Sequence, residues 1–233
     1  MISVCIATYN GERYVTKQLL SILAQLSEYD EVIISDDRST DNTVAVIKEI
    51  KDRRISVTVN EYRSGPVGNF EKALKRAKGE YIFLADQDDI WLPGKVNSVL
   101  PLLHNYDLVL TDCIVINENN ELIMPSFFEF RKSQPGFWRN LYRNSYMGCC
   151  MAFKRTILTY TLPFPDEVHM HDWWIGLLVE VNGSVYFHNQ PLINYVRHGS
   201  NASPTGESGY GALRRLRNRY YLLTNLLWRS ISL

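Results

Sequence analysis

The 233-residue chain has few cysteines, no net charge and no long hydrophobic run. Its cysteines, Cys5, Cys113, Cys149 and Cys150, lack the C-x-x-C spacing of zinc or redox sites, so we expect buried, reduced thiols. Because 25 basic residues balance 25 acidic ones, no overall field favours nucleic acid, and we expect no nucleic-acid partner. Residues 1–6 lack the basic lead of a signal peptide, and no apolar stretch could span a bilayer. We therefore expect a cytoplasmic globular protein.

Two signatures of phosphate binding are missing as well. The chain has no G-x-x-x-x-G-K-[ST] loop, and Asn10-Gly11-Glu12 stands where a dinucleotide fold would carry G-x-G-x-x-G. A nucleotide ligand would then need a metal ion, rather than a glycine-rich loop, to hold its phosphates.

The first half of the sequence alternates short β-rich runs with helical periodicity. We predict strands at residues 2–7, 31–35, 55–59, 81–85 and 108–111, with helices between them, the last of which has Pro93 in its first turn. This repetition predicts an α/β fold with a mostly parallel central sheet flanked by helices and right-handed crossovers. The rhythm breaks after residue 112, and residues 127–138 show no clear period. Strands resume at 147–153, 185–187 and 192–196, which we expect to extend the same sheet and build one wall of a cleft.

Polar clusters follow three of the predicted strands. Thr8-Tyr9-Asn10 follows the first, Asp36-Asp37 the second, and Asp86-Gln87-Asp88-Asp89 the fourth. Carboxyl ends of parallel strands share one edge of a sheet, where open α/β sheets bind ligands, so we expect a common crevice. Crowded carboxylates repel one another unless a divalent cation joins them. The sequence therefore predicts an enzyme that acts on a phosphorylated, nucleotide-linked substrate.

These motifs carry a family resemblance. V-C-I-A-T-Y-N-G at 4–11, S-D-D-R-S-T-D-N-T at 35–43 and D-Q-D-D at 86–89 resemble the signature of family 2 glycosyltransferases of the GT-A fold. D-Q-D-D-I-W, with H-D-W-W at 171–174 and Y-V-R-H-G-S-N at 195–201, is similar to bacterial rhamnosyltransferase-like members, which build surface polysaccharides such as O-antigen or capsule. The resemblance implies a catalytic domain over 1–200, with a nucleotide-sugar half at 1–112 and an acceptor half at 113–200. A tail of residues 201–233 would follow.

The resemblance also implies roles on the donor side. Thr8, Tyr9 and Asn10 would line the nucleoside pocket, and Asp37 or its neighbour Asp36 would contact the base or ribose. Asp86 and Asp88 match the DxD motif: the first would face ribose or metal, and the second would bind Mg²⁺ or Mn²⁺ on the diphosphate. The matching histidine, His198, would reach the metal or diphosphate. Asp89 belongs to the same acidic cluster, but a cap of the next turn is as good an interpretation for it as a role in the site.

The general base of inverting transfer is assigned by the same resemblance to Asp172. Trp173 and Trp174 could desolvate this carboxylate and raise its pKa, or provide a platform on which a sugar stacks. The structural alternative is a helix cap beside buried tryptophans. His169 and His171 form a lone H-x-H, which lacks the further ligands that a metal site needs.

The tail carries an amphipathic pattern. Within residues 213–228, apolar residues recur every three or four positions beside four arginines, which predicts a basic amphipathic helix. Such a helix could contact anionic lipid, where a lipid-linked acceptor would reside, or could simply pack on the domain.

Two other functions stay open at this level. A nucleotidyltransferase that makes nucleotide sugars also pairs an α/β sheet with acidic metal ligands, but it should carry a Gly/Arg/Lys-rich triphosphate loop early in the chain. A carbohydrate-binding module without activity is the third possibility, and the intact Asp86, Asp88 and Asp172 argue against it.

Overall fold

The computed structural model describes residues 1–61, 64–199, 201 and 211–231, and a nine-stranded sheet lies at its centre. Along these residues the strands are β1 (Ile2–Thr8), β2 (Glu31–Asp36), β3 (Ile55–Val59), β4 (Tyr81–Asp86), β5 (Ile90–Trp91), β6 (Leu108–Asn117), β7 (Leu122–Met124), β8 (Met151–Lys154) and β9 (Val185–Arg197). Their order is β3-β2-β1-β4-β8-β6-β9-β5, with β7 paired to β6.

The sheet is mixed, but most of its strands share one direction. β1 is parallel to β2 and β4, β2 is parallel to β3, and β6 is parallel to β9. β8 lies between β4 and β6 and is antiparallel to both, so β4 and β6 share a direction. β5 and β7 also run against the majority. The expected mostly parallel sheet is therefore confirmed, with one reversed strand at its centre.

Helices cover the sheet, and the apolar face of α1 follows the predicted period. In the described residues they are α1 (Val15–Leu23), α2 (Thr43–Glu49), α3 (Gly65–Arg76), α4 (Lys95–Asn105), α5 (Phe127–Arg131), α6 (Phe137–Tyr142), α7 (Leu158–Thr161), α8 (His171–Asn182) and α9 (Ala212–Ile231). In α1, Val15, Leu19 and Ile22 are completely buried, as positions three and four apart on one face should be.

Some predicted bounds were wrong. The helix predicted to contain Pro93 in its first turn begins only at Lys95, because the left-handed conformation of Gly94 (φ 87°) excludes Gly94 and Pro93 from it. The strand expected at 147–153 starts at Met151, after a 3₁₀ turn at Gly148–Cys150. Residues 185–187 and 192–196 lie in one irregular strand, β9. The stretch at 127–138 contains α5 and the start of α6, which are too short to show a period.

The second half continues the first half's sheet, since β8 joins β4 directly to β6. All four cysteines are free and buried, as expected. The basic tail forms α9, which packs on α8 through the buried Leu222 and Leu226. Among the described residues, no helix is both long enough and apolar enough to cross a membrane.

Candidate functional site

The three polar clusters meet at one edge of the sheet. Thr8 is the register partner of Asp36, and Ala7 is the partner of Asp86. The carboxyl ends of β1, β2 and β4 are therefore neighbours, as their parallel arrangement requires. The candidate site is built on this edge.

Asp36 organises the loop after β2. It is completely buried, and its Oδ2 accepts hydrogen bonds from the hydroxyls of Thr8 (2.8 Å) and Ser39 (2.6 Å). Its Oδ1 accepts from the Ser39 backbone N–H at 2.8 Å. Both oxygens of Asp36 are thus used within the protein, which makes it a residue that positions the loop.

Asp37 has a different environment. Its Oδ2 accepts from the Gly65 N–H at 2.6 Å, whereas its buried Oδ1 has no hydrogen-bond partner among the described residues. A buried acceptor without a partner costs free energy unless a ligand supplies a donor. Asp37 is therefore better suited than Asp36 to accept a hydrogen bond from a base or ribose.

The loop after β1 is hydrogen-bonded to the turn that ends β4, residues 86–89, which we call the acidic turn. The Gln87 side chain accepts from the Tyr9 N–H (2.8 Å) and donates to the Tyr9 carbonyl (3.0 Å). Asn10 adopts a positive φ of 48°, and its Oδ1 accepts from the Thr40 N–H at 2.8 Å. The Tyr9 side chain, which is 55% exposed, is left open to solvent and ligand.

Gly11 allows this close approach. A Cβ atom at this position would lie 2.2 Å from Gln87 Oε1. Only a residue without a side chain leaves Gln87 room to bind the Tyr9 backbone.

The acidic turn concentrates negative charge. Burial, followed by the nearby charges of Asp88 and Asp172, raises the pKa of Asp86 to about 8. Burial also raises the pKa of Asp88, although the hydrogen bond from His198 opposes this shift. The 3₁₀ turn at Gly148–Cys150 links the acidic turn to the start of α8, because the Gly148 N–H donates to Asp172 and the Cys149 sulfur lies within 4.8 Å of a carboxylate oxygen of Asp86.

Asp88 and His198, which the resemblance assigns separately to the cation or diphosphate, form a pair. His198 Nε2 lies 2.7 Å from Asp88 Oδ2, and the imidazole stacks on the ring of Tyr14 at 4.5 Å. Asn201 holds the histidine backbone, because its Oδ1 accepts from the His198 N–H at 2.6 Å. This places the end of β9 beside the acidic turn.

Among the described residues Asp89 accepts no hydrogen bond from the turn that follows it, so its interpretation as a turn cap was wrong. It is 1% exposed, and its Oδ1 accepts from the Val196 N–H of β9 at 3.2 Å. One ligand atom each from Asp86, Asp89 and Cys149 lie within 4.8 Å of one another. Burial and the charges of Asp88 and Asp86 raise the pKa of Asp89 well above its usual range.

These carboxylates fit a divalent cation. Burial raises the pKa values of Asp86, Asp88 and Asp89, and neighbouring carboxylates raise those of Asp86 and Asp89 further. Asp89 Oδ2 is buried without a hydrogen-bond partner among the described residues. A cation would reduce the repulsion among the carboxylates and would give the unpaired Asp89 oxygen a partner. The donor set of carboxylates with a neighbouring imidazole suits Mg²⁺ or Mn²⁺.

Asp172 lies in the first turn of α8, at the N-terminal end of the helix. Its Oδ1 accepts from the Trp173 N–H (2.7 Å) and its Oδ2 from the Gly148 N–H (3.1 Å). Burial raises its pKa to about 6, against the opposing effect of these two hydrogen bonds. A carboxylate with a pKa near neutrality suits a general base.

The neighbours of Asp172 have structural roles. His171 is buried, stacks on Phe70 at 4.1 Å, and has its pKa lowered to about 3 by burial, so it is neutral. The indole of Trp173 donates to the Asn140 carbonyl and that of Trp174 to the Thr161 carbonyl, both at 2.8 Å. The tryptophans are buried, so they desolvate the start of α8 and leave no open face for a sugar.

Comparison with known proteins agrees with this geometry. The sequence profile described as glycosyl transferase family 2 matches residues 3–161, which is more than half of the chain. The chain belongs to glycosyl transferase family 2.

Two curated relatives cover most of the chain. An Escherichia coli protein, UDP-Glc:alpha-D-GlcNAc-diphosphoundecaprenol beta-1,3-glucosyltransferase WfgD, is 30% identical over 78% of this chain and 71% of its own length. The dTDP-rhamnosyl transferase RfbG of Shigella flexneri is 28% identical over 92% of this chain and 80% of its own length. The predicted family is confirmed, and the relatives include a rhamnosyltransferase.

A solved structure confirms the fold. The crystal structure of S. aureus TarS with UDP-GlcNAc superposes with a TM-score of 0.74 at 20% identity, over 98% of this chain and 66% of that chain. The chain thus spans just under two thirds of that structure. At this identity the likeness shows the GT-A fold alone.

Sequence reasoning missed several residues of this family 2 site. Cys149 was assigned only as a buried thiol, yet it lies against Asp89, and Gln87 was not singled out although it joins two loops. Gly148 was not singled out either, although it donates to Asp172. The position of Gln87 between Asp86 and Asp88 was a usable signal, whereas Gly148 and Cys149 reach the site through tertiary structure alone.

Proposed function

We propose that this family 2 protein is an inverting, cation-dependent hexosyltransferase. It transfers a sugar from a nucleotide-diphosphate donor to a saccharide or lipid-linked acceptor in bacterial surface polysaccharide synthesis. The names of the two curated relatives support this, because one uses UDP-Glc on a lipid diphosphate and the other transfers rhamnose from dTDP. The donor is accordingly dTDP-rhamnose or a UDP-hexose. The enzyme would work in the cytoplasm or on the cytoplasmic face of the membrane.

The observation that carries the proposal is the placement of Asp172. Its carboxyl group is buried at the start of α8, and burial raises its pKa to about 6. It accepts from the N–H of Gly148, and the next residue, Cys149, lies with Asp86 of the acidic turn. A base and a donor-binding edge are thus held against each other, as an attack on the donor's anomeric carbon requires.

The donor side uses the loops after β1 and β2. Thr8, Tyr9 and Asn10 line the nucleoside pocket, and Asp37 accepts a hydrogen bond from the base or ribose through its unpaired Oδ1. Asp36 keeps these loops in place through Thr8.

The cation would be held by Asp86 and Asp88, with His198 beside Asp88. When bound, it neutralises the charge that develops on the departing diphosphate. The buried residues Asp89 and Cys149 lie next to Asp86.

Asp172 removes the proton from the acceptor hydroxyl. The hydroxyl oxygen bonds to the anomeric carbon as the bond from that carbon to the diphosphate oxygen breaks, and the proton stays on Asp172. Attack opposite the leaving group inverts the configuration at that carbon. The two N–H donors to Asp172 fix its orientation.

A donor screen tests the proposal. The full chain is incubated with UDP-, dTDP- and GDP-sugars in the presence of Mg²⁺, Mn²⁺ or EDTA, and nucleoside diphosphate release is measured. We expect release from one class of donor, dependent on the cation and absent in Asp88→Ala. Pyrophosphate release from a nucleoside triphosphate plus sugar phosphate, without nucleoside diphosphate release from any sugar nucleotide, would instead establish the nucleotidyltransferase.

A further inference from the structure

The net charge of the chain is zero, but its two parts carry opposite net charges. Residues 1–129 contain 20 acidic and 13 basic residues, whereas residues 130–233 contain 5 acidic and 12 basic ones. No acidic residue occurs between Glu129 and Asp166, or after Glu207. All charged residues in the segments that form α6 and α9 are therefore basic, and any surface that these helices share attracts anions.

Helix α6 exposes two large aromatic side chains. Trp138 is 74% exposed and Tyr142 is 78% exposed, with the exposed Arg139 between them and Arg143 directly after. The helix is held from beneath, because Glu180 of α8 accepts from Asn140 Nδ2 at 3.0 Å. These aromatic rings consequently project from a fixed support.

Helix α9 is anchored by one side. Leu222 and Leu226 are buried, Arg219 donates to the Tyr142 carbonyl at 2.6 Å, and Arg229 donates to the Pro163 carbonyl at 2.6 Å. Residues 219, 222, 226 and 229 share a helix face, as positions three and four apart do. The bond from Arg219 to Tyr142 also joins α9 to α6.

The opposite side of α9 is apolar as well, although it faces solvent. At 100° per residue, Leu216, Tyr220, Leu227 and Trp228 point away from the anchored side. Their exposed fractions are 67%, 64%, 57% and 66%. Arg217 lies among them and is exposed. A helix that is already anchored does not need a second apolar side for its own folding.

We propose that the exposed sides of α6 and α9 form a single membrane-binding face that lies on anionic lipid. The sequence predicts lipid contact for residues 213–228 alone, and the structure adds α6 with Trp138 and Tyr142. Tryptophan and tyrosine favour the interface between acyl chains and headgroups, and arginines are attracted to anionic headgroups. The helices lie on the bilayer and do not span it.

A second copy of the chain is a poorer occupant of this face. A symmetric dimer would place the basic, acid-free helices of one copy against the same helices of the other, and like charges would repel. An anionic bilayer offers the complementary charge and an apolar layer together.

The face adjoins the acceptor side of the site. The Arg219 guanidinium lies 5.7 Å from the centre of the Trp173 ring, and Trp173 directly follows Asp172. Lipid under α6 and α9 would bring a lipid-linked acceptor close to the general base. This last consequence rests on the proposed function, whereas lipid binding itself does not.

Vesicle flotation with the full chain tests the proposal. Neutral phosphatidylcholine vesicles are compared with vesicles that also contain phosphatidylglycerol. We expect binding to the anionic vesicles alone, weakened by salt. Removing Arg143, which directly follows α6, together with Arg217 of α9 (Arg143→Gln with Arg217→Gln) should weaken binding by about 25-fold, at about fivefold per charge. The matched control, Lys17→Gln with Lys48→Gln, removes two exposed charges elsewhere and should bind as the wild type does.

A second pair of variants tests the aromatic contribution. Trp138→Ser with Tyr220→Ser should weaken flotation, whereas Tyr29→Ser with Leu122→Ser, equally exposed but remote, should not. Equal flotation of all variants, or no flotation of the wild type, overturns the proposal. So does a dimer that the Trp138 and Tyr220 substitutions dissociate. Nucleoside diphosphate release, measured in detergent-free buffer on the same samples, tests the proposed function separately, because donor turnover needs no lipid.

Discussion

Replacing Asp172 with asparagine tests the chemistry most directly. The amide cannot take up the acceptor's proton, and loss of a general base costs roughly 10²–10⁴ in turnover, or about 3–5 kcal/mol of transition-state stabilisation. Donor affinity should stay within about twofold of the wild type, because the proposed nucleoside pocket is formed by the loops after β1 and β2. The assay is nucleoside diphosphate release with saturating donor, together with donor binding by calorimetry.

The substitution also has a structural cost that must be separated from the chemical one. The carboxylate accepts from the Gly148 and Trp173 N–H groups, and asparagine can accept through one atom only. One buried N–H loses its partner, at about 1–3 kcal/mol, which lowers the melting temperature by about 2–4 °C per kcal/mol for a chain of this size. Glu167→Gln changes an exposed acid nearby and should alter neither turnover nor melting.

The pH profile supplies the decisive readout. A base must be deprotonated to act, so turnover of the wild type should fall as the pH drops through about 6, the pKa to which burial raises Asp172. Below that value the ionised fraction decreases about tenfold per pH unit. Turnover that is retained in Asp172→Asn, or a wild-type profile that stays flat from pH 7 to 5, would remove Asp172 from the role of base.

Three more substitutions address the rest of the site. Asp88→Ala should abolish both activity and its dependence on Mg²⁺ or Mn²⁺, and full wild-type activity in EDTA would refute the cation assignment. Gly148→Ala places a Cβ 2.9 Å from the His171 ring and should displace the N–H that stabilises ionised Asp172. The acidic limb of its pH–rate profile should move to higher pH, whereas Gly211→Ala, with open space around it, should leave the limb in place. Asp36→Asn loses an acceptor for buried donors, so it should raise the KM for the donor, and an unchanged KM would contradict its positioning role.

Strands β1 to β4 could be predicted from the sequence almost residue by residue. The strand expected at 55–59 has these bounds, and those at 2–7, 31–35 and 81–85 each extend by a single residue, whereas the strand expected at 108–111 continues to Asn117. β1, β2 and β4 are compact apolar runs that end in polar residues, since both of their faces are covered and their carboxyl ends open onto the site. The same regularity explains why Thr8, Asp36 and Asp86 are brought together as expected.

The second half of the chain was less predictable because several of its elements are short and depend on tertiary contacts. α5 and α6 have five and six residues, which is too few for a helical period to emerge. The Asn140 side chain, together with Glu180, fixes α6 through contacts 40 positions apart in sequence. Local patterns cannot report such contacts, and the resemblance to a family supplied Asp172 where periodicity could not.

The direction of β8 explains how the two halves become one site. Hydrophobic pattern alone cannot distinguish a parallel from an antiparallel strand, and β8 is the reversed strand between β4 and β6. Because it runs the other way, its first residue lies at the edge where the parallel strands end. The 3₁₀ turn that precedes it therefore delivers Gly148 to Asp172 and Cys149 to the acidic turn. A parallel β8 would carry this turn to the opposite edge of the sheet, and the base would lose a hydrogen bond that opposes the rise in its pKa.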